Sequence, residues 1–275
     1  MSGKRVSLVS LSAVVMAVSF FLSPYPVFGH TLWINATDHS PAFSGKFGAR
    51  TKTYLGYGHR YPVEDFLPPD NLAEYSLIGP GGTKKEIAPV SPAGFLESDI
   101  RFKEPGHYMI TVATKPGFYT MYREGDAIHH KLGPKTGLKD VVLSNYYEQY
   151  AKSLINVGMA EGDDFTKPVG HRLEVIPMEN PSKLKGDGGH TMSLKVLFDG
   201  KPASFCRVYA TYSGFSSNDD FAYATTADGQ GIAKIRLTHW GPWLIKANLK
   251  MPPTDEMKDK CNDMNYTATL TLAIP

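Results

Sequence analysis

Alternation of apolar and polar residues with a period of two is the feature that most constrains how this chain can fold. It recurs in short runs such as TLWINA, HYMITVATK and SFCRVYATY, which are rich in β-branched and aromatic residues. Glycine and proline separate the runs, as in GPGGTKKE at 79–86 and DGKP at 199–202. Successive side chains of a strand point to opposite faces, so the pattern predicts a mainly β protein with short strands and tight turns.

The runs fall into two series, and the stretch between them has a different pattern. The segment 143–158, LSNYYEQYAKSLINVG, carries apolar residues near every third or fourth position, which predicts one short helix. The polar segment 161–170 contains Pro and Gly and predicts a linker. We therefore expect two β-sandwich domains, 30–160 and 171–275, with the helix between them. The regular turns of the second series are typical of an immunoglobulin-like or transthyretin-like sandwich.

The first 29 residues predict a secretory signal peptide, 1–29, rather than part of the fold. Lys4 and Arg5 precede an apolar run, and Val27 and Gly29 occupy the two positions that a signal peptidase reads. The sequence contains no second long apolar run of the kind that predicts a membrane span. We expect an exported, periplasmic protein that does not span the membrane after cleavage; the alternative is an uncleaved anchor.

The charge balance and the motifs argue against several classes of function. Cleavage would leave 27 basic and 27 acidic residues, which argues against nucleic acid or an anionic membrane as partner. The chain has no serine-nucleophile elbow, no Gly-rich phosphate loop and no HExxH motif, so we expect a binding protein and not an enzyme. Cys206 and Cys261 lack the spacing of a redox or zinc pair, and in an exported chain they predict one disulfide.

His30 is the most informative of the nine histidines. After cleavage behind Gly29 it would be the first residue, with a free α-amine beside its imidazole. The amine and a ring nitrogen then form a chelate on one residue, and nitrogen-rich tetragonal sites favour Cu(II) or Ni(II). Because HTLWIN enters a predicted strand at once, we expect this terminus to be held in place.

His59 follows a predicted strand in YLGYGHRYPVEDF. Glu64 or Asp65, a few residues further on, could orient its ring or complete the ligands. The alternative is that His59 only packs against Tyr57 or Tyr61. The sequence alone leaves both interpretations open.

A third ligand is expected from the polar stretch EGDAIHHKLGPK at 124–135. His129 and His130 are adjacent there, and on a loop both could reach one site, although a solvated loop is the alternative. His39 is a reserve ligand, because a turn after the first strand could return it to His30.

Several phrases of the mature chain resemble one bacterial family. GHTLWI follows the signal, YGHRYPVEDF comes next, and LEVIP, VLFDGKPA, TTADGQGIAKIRL and GPWLIKA follow in the family's order. The family is an exported component associated with nickel and cobalt uptake, catalogued as a domain of unknown function. The resemblance covers nearly all of the mature chain and implies that His30 and His59 bind metal. Here Arg60 and Tyr61 separate His59 from Pro62, where many relatives have proline directly.

The sequence and the resemblance together predict periplasmic binding of Ni(II) or Co(II) and its delivery to an inner-membrane transporter. The expected ligands are His30, His59, His129 and His130. Such ligands must be deprotonated, so affinity should fall with pH through the histidine range. One alternative is a copper-binding protein that uses the same N-terminal histidine. The other is a β-sandwich module without metal that binds carbohydrate or acts in adhesion.

Overall fold

The computed structural model describes residues 29–90 and 94–275, so the predicted signal up to residue 28 lies outside the described residues. Within these ranges the protein is mainly β, as predicted, and no helix has seven or more residues. The strands are β1 (Thr31–Ala36), β2 (Ala49–Gly58), β3 (Leu72–Ile78), β4 (Lys84–Glu86), β5 (Glu97–Phe102), β6 (Gly106–Thr114), β7 (Gly117–Glu124), β8 (Ala127–Lys131), β9 (Val141–Val157), β10 (Leu173–Pro177), β11 (His190–Phe198), β12 (Lys201–Pro202), β13 (Arg207–Tyr212), β14 (Tyr223–Thr226), β15 (Ile232–Leu237), β16 (Gly241–Met251) and β17 (Asp263–Ile274). Short 3-10 helices lie at Pro69–Asn71, Pro80–Gly82, Asp164–Thr166, Pro181–Lys183 and Asp255–Met257. No helix in the described ranges is long and apolar enough to cross a membrane.

The described strands form three sheets. A small antiparallel sheet has the order β1-β2-β5, and a second contains β10-β11-β12 with β15 beside β11. The large sheet has the order β14-β13-β16-β17-β9-β6-β3-β4, with β7 paired to β9 and β8 paired to β7. Its β9–β17 pairing is parallel, whereas its other described pairings are antiparallel. The stacked sheets are consistent with the predicted β-sandwich fold.

Two hydrophobic cores lie on opposite faces of the large sheet. Neighbouring residues of β6 show the division, since Met109 belongs to one core and Ile110 to the other. The first core contains Trp243 and Leu194 and is closed by the sheet of β10, β11, β12 and β15. The second core contains Leu55 and is closed by the β1-β2-β5 sheet. One sheet therefore serves as a wall of both cores.

The segment 143–158 is part of strand β9, so the predicted helix is wrong. One edge of β9 pairs with β17, and the other edge pairs with β7 and then β6. Both faces are covered, because Leu154 packs in the first core while Ala151 and Ile155 pack in the second. A strand that is buried on both faces carries apolar residues on both. The period of two is lost in such a strand, and the remaining spacing imitates a helix.

The large sheet takes strands from both predicted domains. β6 and β9 lie within 30–160, while β16 and β17 lie within 171–275, and the β9–β17 pairing joins the two groups. Strand pairing between the two ranges does not show whether each range folds as a unit. The domain boundaries therefore stay predictions: 30–160, 161–170 and 171–275.

Strand β1 is attached to the large sheet by side chains instead of strand pairing. One edge of β1 pairs with β2. On the side of the large sheet, Thr269 Oγ1 donates to Leu32 O at 2.7 Å, and Thr271 Oγ1 donates to Ile34 O at 2.6 Å. Both threonines are buried. These bonds satisfy carbonyl groups that the outer edge of a sheet otherwise leaves unpaired.

The two cysteines are free thiols, so the expected disulfide is wrong. Cys206 Sγ donates to Asn248 O at 3.5 Å, whereas Cys261 Sγ donates to Met257 O at 3.6 Å. Both residues are buried in the first core. Burial raises the pKa of the Cys206 thiol to about 12 and also raises the pKa of Cys261. Protonated, buried thiols are poor metal ligands.

Candidate metal centre

The structure brings His30 and His59 together. Thr31, the first residue of β1, lies opposite Gly58, the last residue of β2, so the two histidines leave the same end of the ladder side by side. Their ring centroids are 4.9 Å apart and the rings are nearly perpendicular, at 82°. The ring of Tyr57 lies 5.1 Å from that of His30. Both histidines are exposed, so a solvent ion has access to them.

Side chains of the large sheet hold the backbone where β1 begins. Gln149 Nε2 donates to His30 O at 2.8 Å, and Gln149 Oε1 accepts from Leu32 N at 2.8 Å. The buried Lys246 donates from Nζ to Thr31 Oγ1 at 2.7 Å. Three consecutive residues are thus bonded to β9 or β16, which fits the expectation that the terminus is held in place.

Glu64 shapes the loop that carries His59, and it acts on the backbone rather than on the ring. One carboxylate oxygen of Glu64 accepts from the amides of His59 and Arg60, and the other accepts from Arg60 Nε at 3.1 Å. Gly58 has a φ of +147°, and a Cβ at this position would overlap Glu64 Oε2. Asp65 Oδ1 accepts from the amide of Phe66. Only a glycine at position 58 leaves room for this arrangement.

The loop is also fixed to β1. The carbonyl oxygen of Pro62 accepts from Trp33 Nε1 and from Asn35 Nδ2, both at 2.9 Å. Trp33 and Asn35 are buried. The strand that carries His30 therefore also positions the loop that carries His59, so the two histidines are held by one unit.

The surrounding groups favour a neutral imidazole at His59. Burial lowers the pKa of His59, and the nearby His30 and Lys246 lower it further, while Glu64 and Asp219 act in the opposite direction. Burial likewise lowers the pKa of Lys246 to about 8. Because the neutral ring is the form that binds a metal ion, a lowered pKa keeps His59 available at neutral pH.

His129 and His130 are not grouped with this pair. They lie on β8, in the β7–β8 hairpin, so the prediction of a loop at 124–135 is wrong. Adjacent residues of a strand point to opposite faces, and one strand does not direct both rings to one site. Tyr119 hydrogen-bonds His130 Nδ1 at 2.5 Å, and the ring of Tyr122 stacks on that of His129 at 5.4 Å.

His39, the reserve ligand, is buried away from His30. Its Nδ1 donates to Leu154 O at 2.8 Å, and burial lowers its pKa. The turn after β1 therefore packs His39 against β9 instead of returning it to the first residue.

No group of three or more His, Cys, Asp or Glu side chains within 29–90 and 94–275 is arranged to hold a metal ion. The side chains supply two imidazoles, from His30 and His59. A third nitrogen at the same place would come from the α-amine of His30, which exists only after cleavage behind Gly29. The chemistry of the site therefore depends on whether position 30 is the first residue.

A cavity of about 400 Å³ opens beside the two histidines. Besides His30 and His59, its wall includes Tyr57, Asn145, Gln149 and Lys246. A smaller cavity, of about 20 Å³, is also lined by His59, together with Asp219.

Sequence reasoning missed Gln149, Lys246 and Asp219. The sequence does indicate that Lys246 is buried, because it lies between apolar residues in WLIKANL. A buried lysine is rare unless it has a partner, so this position points to a special role. Gln149 lies in the segment 143–158, where the apolar spacing predicts a helix, so the sequence does not assign its face. Asp219 stands in a loop after β13, and nothing local in the sequence links it to His59.

These observations define a class: a multi-sheet β protein with a histidine pair at the start of its first strand. The chain belongs to the family described as "Domain of unknown function (DUF4198)", whose model matches residues 27–251. No curated protein matches the chain.

Some solved structures are distantly similar. A Salmonella alpha-2-macroglobulin mutant is 9% identical over 91% of this chain and 15% of that chain, with a TM-score of 0.26. Alpha-2-macroglobulin from Escherichia coli, spanning domains NIE-MG1, is 7% identical over 79% of this chain and 92% of that one, with a TM-score of 0.20. The tandem V-type regions of the v-region-containing chitin binding protein VCBP3 are 9% identical over 87% of this chain and 99% of that one, with a TM-score of 0.21. TM-scores of this size carry no argument about function.

Proposed function

We propose that the mature protein begins at His30 and binds a divalent transition metal, nickel or cobalt, in the periplasm, for delivery to an inner-membrane transporter. The observation that carries this proposal is the placement of His30 beside His59 at one end of the β1–β2 ladder. The resemblance to components of nickel and cobalt uptake supports the choice of metal.

The ring separation fits one shared ion. At metal–nitrogen distances of about 2.0–2.1 Å, two imidazoles on the same ion have ring centres roughly 4.5–6.5 Å apart. The observed 4.9 Å between His30 and His59 falls in this range. Two rings and one amine give three nitrogen donors, which suits nickel, cobalt and copper.

The proposed mechanism is capture and release without turnover. The two histidines are exposed, so an ion can enter and leave without opening a core. Three protein donors would leave further coordination positions of the ion unfilled. A group from the transporter could bind there and then displace the protein donors. Protonation of the amine and of the rings weakens the hold on the ion.

Copper binding is a second candidate, and the donor set favours it. Nitrogen donors alone bind Cu(II) more tightly than Ni(II) or Co(II). The periplasmic copper protein and the nickel or cobalt protein would use the same His30 and His59. Titrations with each metal separately, under buffered free-metal concentrations, rank the affinities.

The deciding experiment is calorimetric titration of the exported protein, starting at His30, with Ni(II), Co(II), Cu(II) and Zn(II). A matched protein carries one extra alanine before His30. We expect this extension to weaken binding by a factor on the order of ten or more, because it removes the amine from the chelate.

His59→Ala should weaken binding to a similar extent. His190→Ala is the control, since His190 interacts with Asp187 at a separate place and should leave affinity unchanged. Equal affinity with and without the extra alanine would remove the amine from the proposal. If neither protein binds any of the four metals, the metal proposal fails and the sandwich module without metal becomes the better account.

A further inference from the structure

The floor of the cavity beside His30 and His59 is polar, although the same face of β9 is mainly apolar further along the strand. Along β9 the residues on this face include Ala151 and Ile155, which pack in the second core under the small sheet. Toward the start of β9 the same face presents Asn145 and Gln149 to the cavity. The change from apolar to polar residues occurs where the small sheet ends.

The neighbouring strands continue this polar floor. β17 contributes Asn265 and Thr267, and β16 contributes Lys246 and Asn248. The alternate residues of β16, Ile245 and Ala247, face the opposite core. Three strands thus place amide, hydroxyl and ammonium groups on one surface.

Two of these groups point to the chemistry of a ligand. Lys246 is 4% exposed, so its positive charge lies in a wall with little water. Asn145 Oδ1 is buried and has no hydrogen-bond partner among the described residues. Buried polar atoms are nearly always bonded, and an unpartnered acceptor in a cavity wall suits a donor on a ligand.

The size and the remaining wall fit a small organic molecule. A volume of about 400 Å³ is within the range of small-molecule pockets. Leu132 and Leu143 provide apolar contact, and Tyr119 and Tyr147 border the same space. An aqua ion alone would leave most of this volume unused.

We propose that the cavity binds a small carboxylate with an adjacent hydroxyl or amino group, and that the metal is taken up as its complex with this chelator. Lys246 would pair with a carboxylate, Asn145 would accept from the hydroxyl or amino group, and His30 and His59 would bind the ion. This inference rests on the proposed metal function. It names the form in which the metal arrives.

The coordination chemistry supports this division of roles. The amine and ring of His30 with the ring of His59 supply three donors, so an octahedral ion has positions left for oxygen or nitrogen atoms of a chelator. A charge-assisted bond from Lys246 to a carboxylate in a dry wall is stronger than one in water. The cavity would therefore favour a chelated ion over an aqua ion.

The test is calorimetry with Ni(II) alone, with Ni(II) and one equivalent of citrate, and with Ni(II) and one equivalent of L-histidine. The two chelators distinguish a hydroxycarboxylate from an aminocarboxylate. We expect one of the two complexes to bind more tightly than Ni(II) alone by a factor on the order of ten. Lys246→Met should abolish this gain, measured against the variant's own affinity for Ni(II) alone, because Lys246 also holds Thr31 beside His30.

Asn145→Leu provides an independent variant if Lys246→Met does not fold, and it should reduce the same gain. Lys250→Met is the matched control, because Lys250 also lies on β16 but forms an exposed ion pair with Asp263. If Ni(II) alone binds and neither chelator adds affinity, this inference is overturned while the metal function stands. If citrate or histidine binds without metal and Ni(II) does not bind, the metal function fails while the carboxylate site stands.

Discussion

Gly58 is the residue on which the geometry of the His59 loop depends. Its φ of +147° and the closeness of Glu64 leave no room for a side chain. Glu64 in turn accepts hydrogen bonds from the amides of His59 and Arg60. A substitution at position 58 would therefore shift the backbone of His59 and, with it, the position of the ring.

Gly58→Ala should therefore weaken Ni(II) binding and destabilise the protein. We expect the free energy of unfolding to fall by about 1–3 kcal/mol, because alanine is strained at this φ and its Cβ displaces the Glu64 carboxylate. Urea unfolding and calorimetry measure the two effects. Gly188→Ala is the control: Gly188 also has a positive φ, +79°, but no atom lies within 4 Å of its added Cβ. Loss of stability in both variants with unchanged metal affinity in Gly58→Ala would contradict this role for Glu64.

The sequence predicted the two paired histidines but not the residues that hold them. His30 could be singled out because it follows the predicted cleavage site and enters a strand-like run, and His59 because it ends such a run. Gln149 and Lys246 act from strands far along the chain, and their choice of partner depends on how the sheets stack. The pairing of β7 with β8 makes this segment a strand, so His129 and His130 point to opposite faces. This pairing likewise depends on contacts between strands rather than on composition.

At the scale of elements, β1 depends on threonine hydroxyls of β17. Thr269 and Thr271 bond to the carbonyl groups of Leu32 and Ile34, and these bonds replace the backbone ladder that a further strand would supply. The connection is made entirely by side chains, so single substitutions can test it.

Thr269→Val should lower the free energy of unfolding by about 1–3 kcal/mol, because the buried carbonyl of Leu32 loses its donor while the side-chain volume is kept. Chemical denaturation measures this change. Thr191→Val is the control, since Thr191 lies on a strand but is exposed. We also expect the Thr269 variant to bind Ni(II) less tightly, because the start of β1 becomes less fixed. An equal effect of the two substitutions would show that the hydroxyl of Thr269 does not anchor β1.

β9 shows why the spacing of apolar residues predicts the wrong element at one place. Short amphipathic strands that have one exposed face, such as β15, keep the period of two, and this period predicts a strand. β9 has a core on each face, and its sequence therefore contains no face that is polar throughout to mark it as a strand. Only the position of β9 within the large sheet, which local sequence does not encode, distinguishes it from a helix.

At the scale of the whole molecule, buried polar groups join the large sheet to the sheet that covers the first core. Lys152 Nζ of β9 donates to Glu174 Oε1 of β10 at 2.7 Å, and both side chains are 2% exposed. His171 lies next to this pair, with its ring 4.9 Å from that of Tyr150 and its Nε2 buried without a partner among the described residues.

His171 should make stability depend on pH. Burial lowers its pKa from 6.5 to about 4, against the opposing effect of Glu174. The unfolded chain therefore binds the proton more readily than the folded one. The stabilisation is complete above the ordinary pKa and is lost as the pH falls through the interval down to the folded pKa. The loss at low pH is at most about 3 kcal/mol.

His171→Phe keeps a ring against Tyr150 but cannot titrate. Urea unfolding at about pH 7 and about pH 4.5 should show a smaller loss of stability in this variant than in the unmodified protein. His39, whose pKa burial also lowers, is present in both proteins and cancels in the comparison. Equal losses in the two proteins would show that the protonation of His171 is not coupled to unfolding.

The attachment of β1 by β17 also sets the order in which the site can assemble. The bonds from Thr269 to Leu32 and from Thr271 to Ile34 each join residues 237 positions apart. Under the proposed export, His30 would reach the periplasm first and these threonines last. Until β17 has docked, β1 is paired with β2 but lacks the bonds from Thr269 and Thr271 that fix it against the large sheet. If the protein is exported and binds metal as proposed, an incompletely translocated chain would hold an ion less tightly than a finished one.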